Sequence, residues 1–315
     1  MTLKYKILMD MDIGDDIDDA IALYAAMQRG FDIIGVTTVF HNTVKRAQMA
    51  KKLLTLYGHG YERTPVYAGY GTPLAEKGKE EELEQLAVPH FTPDMENYAP
   101  DNTDQDAAAD FIIECCRKYG KELCIIAIGP FTNMAHVIEK DPEALNLCGK
   151  VCIMGGAYYK QYADWNVMCD VEAAELMFCT LINLECVGAD VTHLCLADEK
   201  LYDTVINCTG KSPARRYLWE MCERWKADRP GSALLLHDPL VVYYAEDPSL
   251  CGMRENSVVI LKDGFARGLS LNVDGYGKMW MNRAAYEDYP LKRCKVAQTL
   301  QLDTFFQRVF EDFKE

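Results

Sequence analysis

Six aspartates fall within ten residues near the start of the chain: Asp10, Asp12, Asp15, Asp16, Asp18 and Asp19, with Gly14 among them. Carboxylates this dense repel one another or take up protons unless positive charge is supplied. A hard divalent cation is the economical counter-charge, and Ca²⁺ in particular accepts many oxygens in an irregular shell. Free N–H groups at a helix N-terminus are a second source, because Asp18 and Asp19 stand where a helical pattern begins. The plainer reading is a solvated Asp-rich turn that caps a helix. Position favours a ligand site. The acids follow an apolar run, Ile7 to Met9, that reads as a buried parallel strand, and open α/β sheets bind ligands beyond the carboxyl ends of their strands.

The residues that follow the other apolar runs extend the same pattern: His41 and Asn42, Gly129 and Pro130, Met154 with Gly155 and Gly156, and Asp190, Thr192 and His193. Asp164-Trp165-Asn166 and His237-Asp238 add to it from loops and helix starts. A pocket lined by acids, amides and one or two imidazoles suits a neutral polyhydroxylated ligand such as a sugar, whose hydroxyls donate to carboxylates. It does not suit a phosphate, for neither GxxxxGK[ST] nor GxGxxG is present. Several of these groups have structural alternatives. Thr132 and Asn133 read as helix N-cap residues, the Gly155-Gly156 pair as a backbone turn, His193 or His237 alone as a satisfied structural imidazole, and Asp238-Pro239 as a helix start.

These groups need a frame that alternates strand and helix. After the acidic turn, Ala20–Gly30 is helical in period, and Asp32–Phe40 reads as a second buried strand, which completes a βαβ unit. Val44–Tyr57 is a basic amphipathic helix, Pro65–Ala68 a short strand, Asp104–Tyr119 a helix and Leu123–Ile128 a central strand broken by Gly129-Pro130. Val151–Met154 and Leu184–Val187 are further strands, and Lys295–Leu302 a finishing strand before a C-terminal helix, Asp303–Phe313. Glu76–Asp101, acidic and then Pro-rich, is predicted to be a long loop, and Lys211–Leu236 a helical stretch with an aromatic, irregular end. The expected fold is α/β: a single domain with a mainly parallel, twisted central sheet and helices on both faces.

Composition bounds the partners. The 315 residues are 49% hydrophobic with no linker-like stretch, so one large core over 1–315 is expected. A net charge of -15 argues against nucleic acid or an anionic membrane as partner. Thirteen cysteines without a CxxC pair, and no secretory leader pattern, point to reduced thiols and a cytoplasmic location rather than to a disulfide scaffold or zinc site.

Taken together, the blocks resemble the inosine/uridine-preferring nucleoside hydrolases. The family's opening DxDxGxDDA stands here as Asp10-Met-Asp12-Ile-Gly14 and, two residues later than usual, Ile17-Asp18-Asp19-Ala20. Val39-Phe-His-Asn42, Ala127-Ile-Gly-Pro-Phe-Thr-Asn133, Met154-Gly-Gly-Ala157, Asp164-Trp-Asn166, Asp170-Val-Glu-Ala-Ala174 and His237-Asp-Pro239 follow in the family's order. The resemblance implies hydrolysis of a ribonucleoside N-glycosidic bond through an oxocarbenium-like transition state. It also implies Ca²⁺ held by Asp12, Asp19, Asp238 and the Ile128 carbonyl, with Asp12 as general base. Asp18, Asn42, Met154, Asp164 and Asn166 would hold the ribose, and His237 would serve as acid beside the base. Tyr217, Trp219, Trp225, His90 and Phe91 are candidates for base stacking, and a homodimer or homotetramer is implied.

The sequence departs from the pattern in the Asp15-Asp16 insertion, in Asp164 where the family usually has Glu, and in Trp165 where it has Phe. Such changes are compatible with a modified base, for example a deazapurine. Two other classes compete: a catalytically silent nucleoside or ribose sensor, and a DxD phosphatase with Asp10 as nucleophile and Asp12 as acid.

Overall fold

The computed structural model describes residues 5–274 and 290–314. Its first strand, β1 (Lys6–Met11), lies inside the sheet and pairs in parallel with β2 (Asp32–Thr38) on one side and β4 (Leu123–Ala127) on the other. Side chains alternate across β1. Ile7, Met9 and Met11 enter one apolar core and Leu8 the other, and β4 and β5 (Lys150–Met154) divide their residues the same way. A strand covered on both faces needs apolar residues at every position, which is why these runs are continuous rather than alternating.

The remaining strands are β3 (Val66–Ala68), β6 (Leu184–Val187), β7 (Cys251–Ile260), β8 (Ser270–Asn272) and β9 (Arg293–Leu300). Among the described residues the order is β3-β2-β1-β4-β5-β6-β9-β7-β8. Pairing is parallel from β3 through to β9, and β7 is antiparallel to both β9 and β8. The helices Asp18–Gln28, Thr43–Tyr57, Pro213–Asp228, His237–Glu246 and Leu302–Phe313 cover the face that holds Met9; Gln105–Tyr119, Thr132–Lys140 and Val171–Thr180 cover the face that holds Leu8. The mainly parallel α/β sheet is as the sequence implies.

Three local differences have physical causes. The hairpin of β7 and β8 is absent from the sequence reading: β7 alternates buried Cys251, Asn256 and Val258 with exposed Gly252, Arg254 and Glu255, and its apolar run, Val258–Ile260, is confined to its last three residues. The segment 76–101 is a loop that also carries a short helix, Glu80–Glu84, and a 3-10 turn, Pro93–Asn97; buried Met95 and a 2.5 Å Lys52–Asp94 ion pair pin it to the sheet side. Asn133 is not a helix cap: Phe131 takes that position with no side-chain bond, and Asn133 reaches across to β1 and β2 instead. All thirteen cysteines are free thiols, and no helix among the described residues is long and apolar enough to cross a membrane.

Candidate active site

The parallel register fixes where the acids stand. Asp10 pairs level with Thr37 of β2 and Ala127 of β4, at the carboxyl edge of the sheet. Its Oδ1 accepts from Thr37 Oγ1 at 2.5 Å and Asn133 Nδ2 at 2.7 Å, and the side chain is fully buried. Burial pushes its carboxyl up to about 7 despite those two bonds. Asp10 is thus a strut beneath the site, and its burial removes the nucleophile that a DxD phosphatase needs.

Two residues on, the chain leaves the sheet, and Asp12 lines a cavity of about 350 Å³ with Asp18, Asp19 and Asp238. Asp18 and Asp19 open the helix Asp18–Gln28, and His237 and Asp238 open the helix His237–Glu246. The two helices pack together with their N-termini at the cavity, and the Asp238 N–H donates to Asp18 Oδ2 at 3.3 Å. Carboxylate oxygens of Asp18, Asp19 and Asp238 lie within 4.8 Å of one another, and Asp19 Oδ1 is buried without a hydrogen-bond partner.

Burial first, then repulsion from neighbouring aspartates, Asp12 and Asp16 among them, holds all three carboxyls well above the usual range. Asp12 is pushed up to about 7, again mainly by burial, with Arg46 opposing. Helix N-termini and one arginine do not balance this charge. A set of hard oxygens with an unpartnered atom fits a divalent metal ion. Asp12 stands beside this trio rather than within it, and the Ile128 carbonyl already accepts from Asn166 Nδ2 at 2.8 Å.

Other predicted residues gather around the same cavity. Met154, at the end of β5, lines it, and its carbonyl accepts from Asn166 Nδ2 at 3.1 Å. Asp164 caps the short helix Trp165–Cys169 by accepting from the Asn166 and Val167 N–H groups, and burial raises its carboxyl to about 6. His237 Nδ1 lies 2.7 Å from Thr192 Oγ1, and burial, with His193 beside it, lowers the imidazole to about 4. That ring is neutral at pH 7.

Other sequence expectations fall elsewhere. Asn42 is not brought to the cavity wall: it caps the helix Thr43–Tyr57 through Lys45 N–H and donates to Glu84 O at 2.5 Å. Tyr217 and Trp225 are core residues, because positions 217, 218, 221, 222 and 225 form the buried stripe of their helix. His90 is buried with neither ring nitrogen partnered, and Trp219 and Phe91 do not line the cavity.

The aromatic residues that line the cavity are instead Tyr162, His193, His237 and Trp165, the last 60% exposed and edge-on to Phe40. Tyr162 meets His193 edge to face at 4.9 Å, and His193 meets His237 at 5.6 Å. Tyr162 sits in a loop whose path no local pattern reveals.

The departures from the family pattern find partners. Asp15 carboxylate accepts from Arg46 at 2.9 Å, and Asp16 carboxylate from Arg229 at 2.7 Å. Arg46, 1% exposed, also donates to the carbonyls of Asp12, Ile13 and Phe40 and so clamps the acidic loop to the turn after β2. Phe40 and His41 hold φ of 72° and 55° there, a conformation non-glycine residues rarely adopt.

Comparison with known proteins agrees with this geometry. The family model described as inosine-uridine preferring nucleoside hydrolase matches residues 7–307. A rice protein named probable uridine nucleosidase 1 is 29% identical over 312 residues, covering 94% of this chain and 93% of its own length. The inosine-uridine preferring nucleoside hydrolase of Crithidia fasciculata is 27% identical, with 78% and 80% covered. The solved structure of a plant nucleoside hydrolase superposes with a TM-score of 0.79 at 27% identity, over 99% of each chain. With the family model spanning nearly the whole chain and a metal-ready acidic cavity at the carboxyl edge of its sheet, the protein belongs to the inosine-uridine preferring nucleoside hydrolase family and is an N-ribosyl hydrolase.

Proposed function

We propose that the chain hydrolyses the N-glycosidic bond of ribonucleosides to free base and ribose in a Ca²⁺-dependent reaction, with Asp12 as general base. The observation that carries this reading is a single cavity lined both by the buried carboxylates Asp12, Asp18, Asp19 and Asp238 and by two imidazoles, a phenol and an indole. Asp19 and Asp238, with Asp18 from the same trio, would hold the ion, and Asp12 and the Ile128 carbonyl, which stand beside the trio, would complete its shell. When bound, Ca²⁺ supplies positive charge that keeps these acids ionised, grips the ribose diol and makes a water more acidic.

The chain's own groups do the rest. Asp12, buried beside the trio, accepts the proton of the water that attacks C1′. Asn166 gives its Nδ2 to the Ile128 and Met154 carbonyls, which presents the amide oxygen to a ribose hydroxyl. Asp164, fixed by its cap bonds, takes another hydroxyl, and buried Met154 lies under the sugar. Hydroxyls become more acidic as the ring gains positive charge, so these bonds strengthen in the transition state. His237 is neutral before substrate arrives and acts as an N–H donor to the departing base, with Thr192 fixing its ring.

Ribose release from uridine and inosine by wild type and Asp12→Asn tests the assignment. Loss of a general base of this kind is expected to lower kcat by about 10²–10⁴-fold with KM little changed. Turnover by Asp12→Asn equal to wild type would refute the role. The homodimer or homotetramer implied by the resemblance belongs to the same reading, and light scattering on the purified chain measures it.

A further inference from the structure

We propose that a second cavity, at the amino edge of the sheet opposite the acidic one, binds a small monocarboxylate with a compact apolar body. Its carboxylate is held between the ammonium groups of Lys150 and Lys295.

Position in the sheet separates the two cavities. Lys150 is the first residue of β5, and Met154, which lines the acidic cavity, is the last. Four steps of strand set them roughly 13 Å apart. Glu185 and Lys295 stand level with each other near the starts of β6 and β9, and Tyr5 precedes β1. Tyr244 and Ala245 come from the last turn of the helix His237–Glu246, whose first turn carries Asp238. These residues line a cavity of about 660 Å³, a size that takes a small molecule.

The charges in it do not cancel. Lys150 is 5% exposed, and burying an ammonium group is costly unless it is paired. Its Nζ donates to the Ala245 carbonyl at 3.2 Å and lies 5.3 Å and 5.2 Å from the ring centres of Tyr5 and Tyr244. Glu185 Oε2 is 3.8 Å away, too far for a hydrogen bond. Glu185 is in any case engaged elsewhere: Oε1 accepts from Lys295 Nζ and Oε2 from the Tyr244 hydroxyl, each at 2.8 Å. The other carboxylates of the cavity, Glu246 and Glu255, have arginines of their own, Arg29 at 2.7 Å and Arg293 at 3.5 Å. Two ammonium groups therefore share one glutamate, and each keeps N–H groups for a ligand.

That surplus of positive charge sets the class of anion. A carboxylate brings a single negative charge and accepts from both ammonium groups at once. A phosphate carries about −1.5 to −2 at pH 7 and would exceed the surplus beside Glu185. The rest of the lining includes Tyr5, Tyr244, Pro248, Cys251 and Met253, which offers contact to a ring or a branched chain.

The test is isothermal titration calorimetry of the full chain with benzoate and 3-methylbutanoate, and with benzyl alcohol and inorganic phosphate as contrasts, in Ca²⁺ and again in a chelator. At least one of the two carboxylates is expected to bind one per chain with a Kd of about 1 mM or tighter, alike in both conditions. Benzyl alcohol and phosphate are expected to bind at least about tenfold more weakly. Lys150→Met is expected to weaken the carboxylate by about 30-fold or more. Lys295→Gln, at a side chain 52% exposed, keeps the fold and is expected to weaken it about tenfold, and urea titration of both variants checks their folding. No saturable binding of either carboxylate at millimolar concentration would overturn the proposal. So would phosphate or benzyl alcohol binding as tightly as the carboxylate, an affinity unchanged in folded Lys295→Gln, or binding that appears only with Ca²⁺. None of these outcomes bears on ribose release, which tests the proposed hydrolysis separately.

Discussion

Asp12 and Arg46 show how single residues set the chemistry. Asp12 is buried beside three other carboxyls, and the cation that opposes its protonation is Arg46, one helix away. The guanidinium also donates to three carbonyls at the two turns that meet there, so it fixes the Asp12 backbone as well as its charge. Removing one member of a buried charged network leaves its partners unsatisfied, at a cost of about 3–5 kcal/mol. Arg46→Leu is therefore expected to lower the denaturant-derived stability by about that amount, while Arg46→Lys, which keeps the charge and loses the fork, costs roughly 1–3 kcal/mol. Equal stability of all three proteins in urea titration would show that Arg46 clamps nothing.

At the scale of elements, the site is the product of strand ends and helix starts. β1 delivers Asp12, β5 delivers Met154, and two packed helices deliver Asp18, Asp19 and Asp238 from their first turns. Close approach between the loops after β1 and β4 depends on Gly129. A Cβ there would stand 2.9 Å from the Asp12 amide nitrogen, 3.0 Å from its Oδ1 and 2.7 Å from Val39 Cγ1. Gly129→Ala is expected to push the Asp12 loop outward and to lower kcat by about 10- to 100-fold, because a displacement near 1 Å at the reacting group has that effect. Full activity in that variant, measured as ribose release, would mean the loop yields without moving Asp12.

The elements also explain what was legible in the sequence. Strands covered on both faces, such as β1 and β4, leave continuous apolar runs, and the residues just after them are the site residues of an open parallel sheet. β7, with exposed residues through its first half, leaves an apolar run only over Val258–Ile260, and the antiparallel end of the sheet is hard to read for that reason. The same limit applies to the site. Asp12, Asp18, Asp19, Asp164 and Asp238 follow from position, whereas Tyr162 and Arg229 come from loops that only tertiary packing brings to the cavity. The aromatics Tyr217 and Trp225, which the resemblance offers as stacking groups, lie on the buried stripe of a helix. Asn42 shows the converse, since its place after β2 suits a ligand residue equally well as the helix cap it is.

For the whole molecule, the buried acids tie stability to pH. Burial raises Asp10 and Asp12 to about 7 and Asp164 to about 6 from the ordinary aspartate value near 3.8, so between about pH 4 and 7 the folded chain binds protons that the unfolded chain has released. The stability these groups contribute is complete below about pH 4, falls as pH rises through 6 and 7, and changes little above that. A cation in the cavity offsets the loss, because it favours the ionised acids. The thermal midpoint of the metal-free protein is expected to fall from pH 5 to pH 8, and added Ca²⁺ to raise it more at pH 8 than at pH 5. A Ca²⁺ shift that is equal at both pH values would place the ion away from these carboxyls.

We propose this cavity as a Ca²⁺-dependent N-ribosyl hydrolase site. Chelator-stripped protein titrated with Ca²⁺, with ribose release from uridine and inosine and bound Ca²⁺ measured in the same samples, tests it most directly. Activity is expected to rise in step with one Ca²⁺ per chain, and both are expected to be lost in Asp19→Asn. Undiminished ribose release after stripping, or stoichiometric Ca²⁺ binding with no release at any concentration, would contradict it.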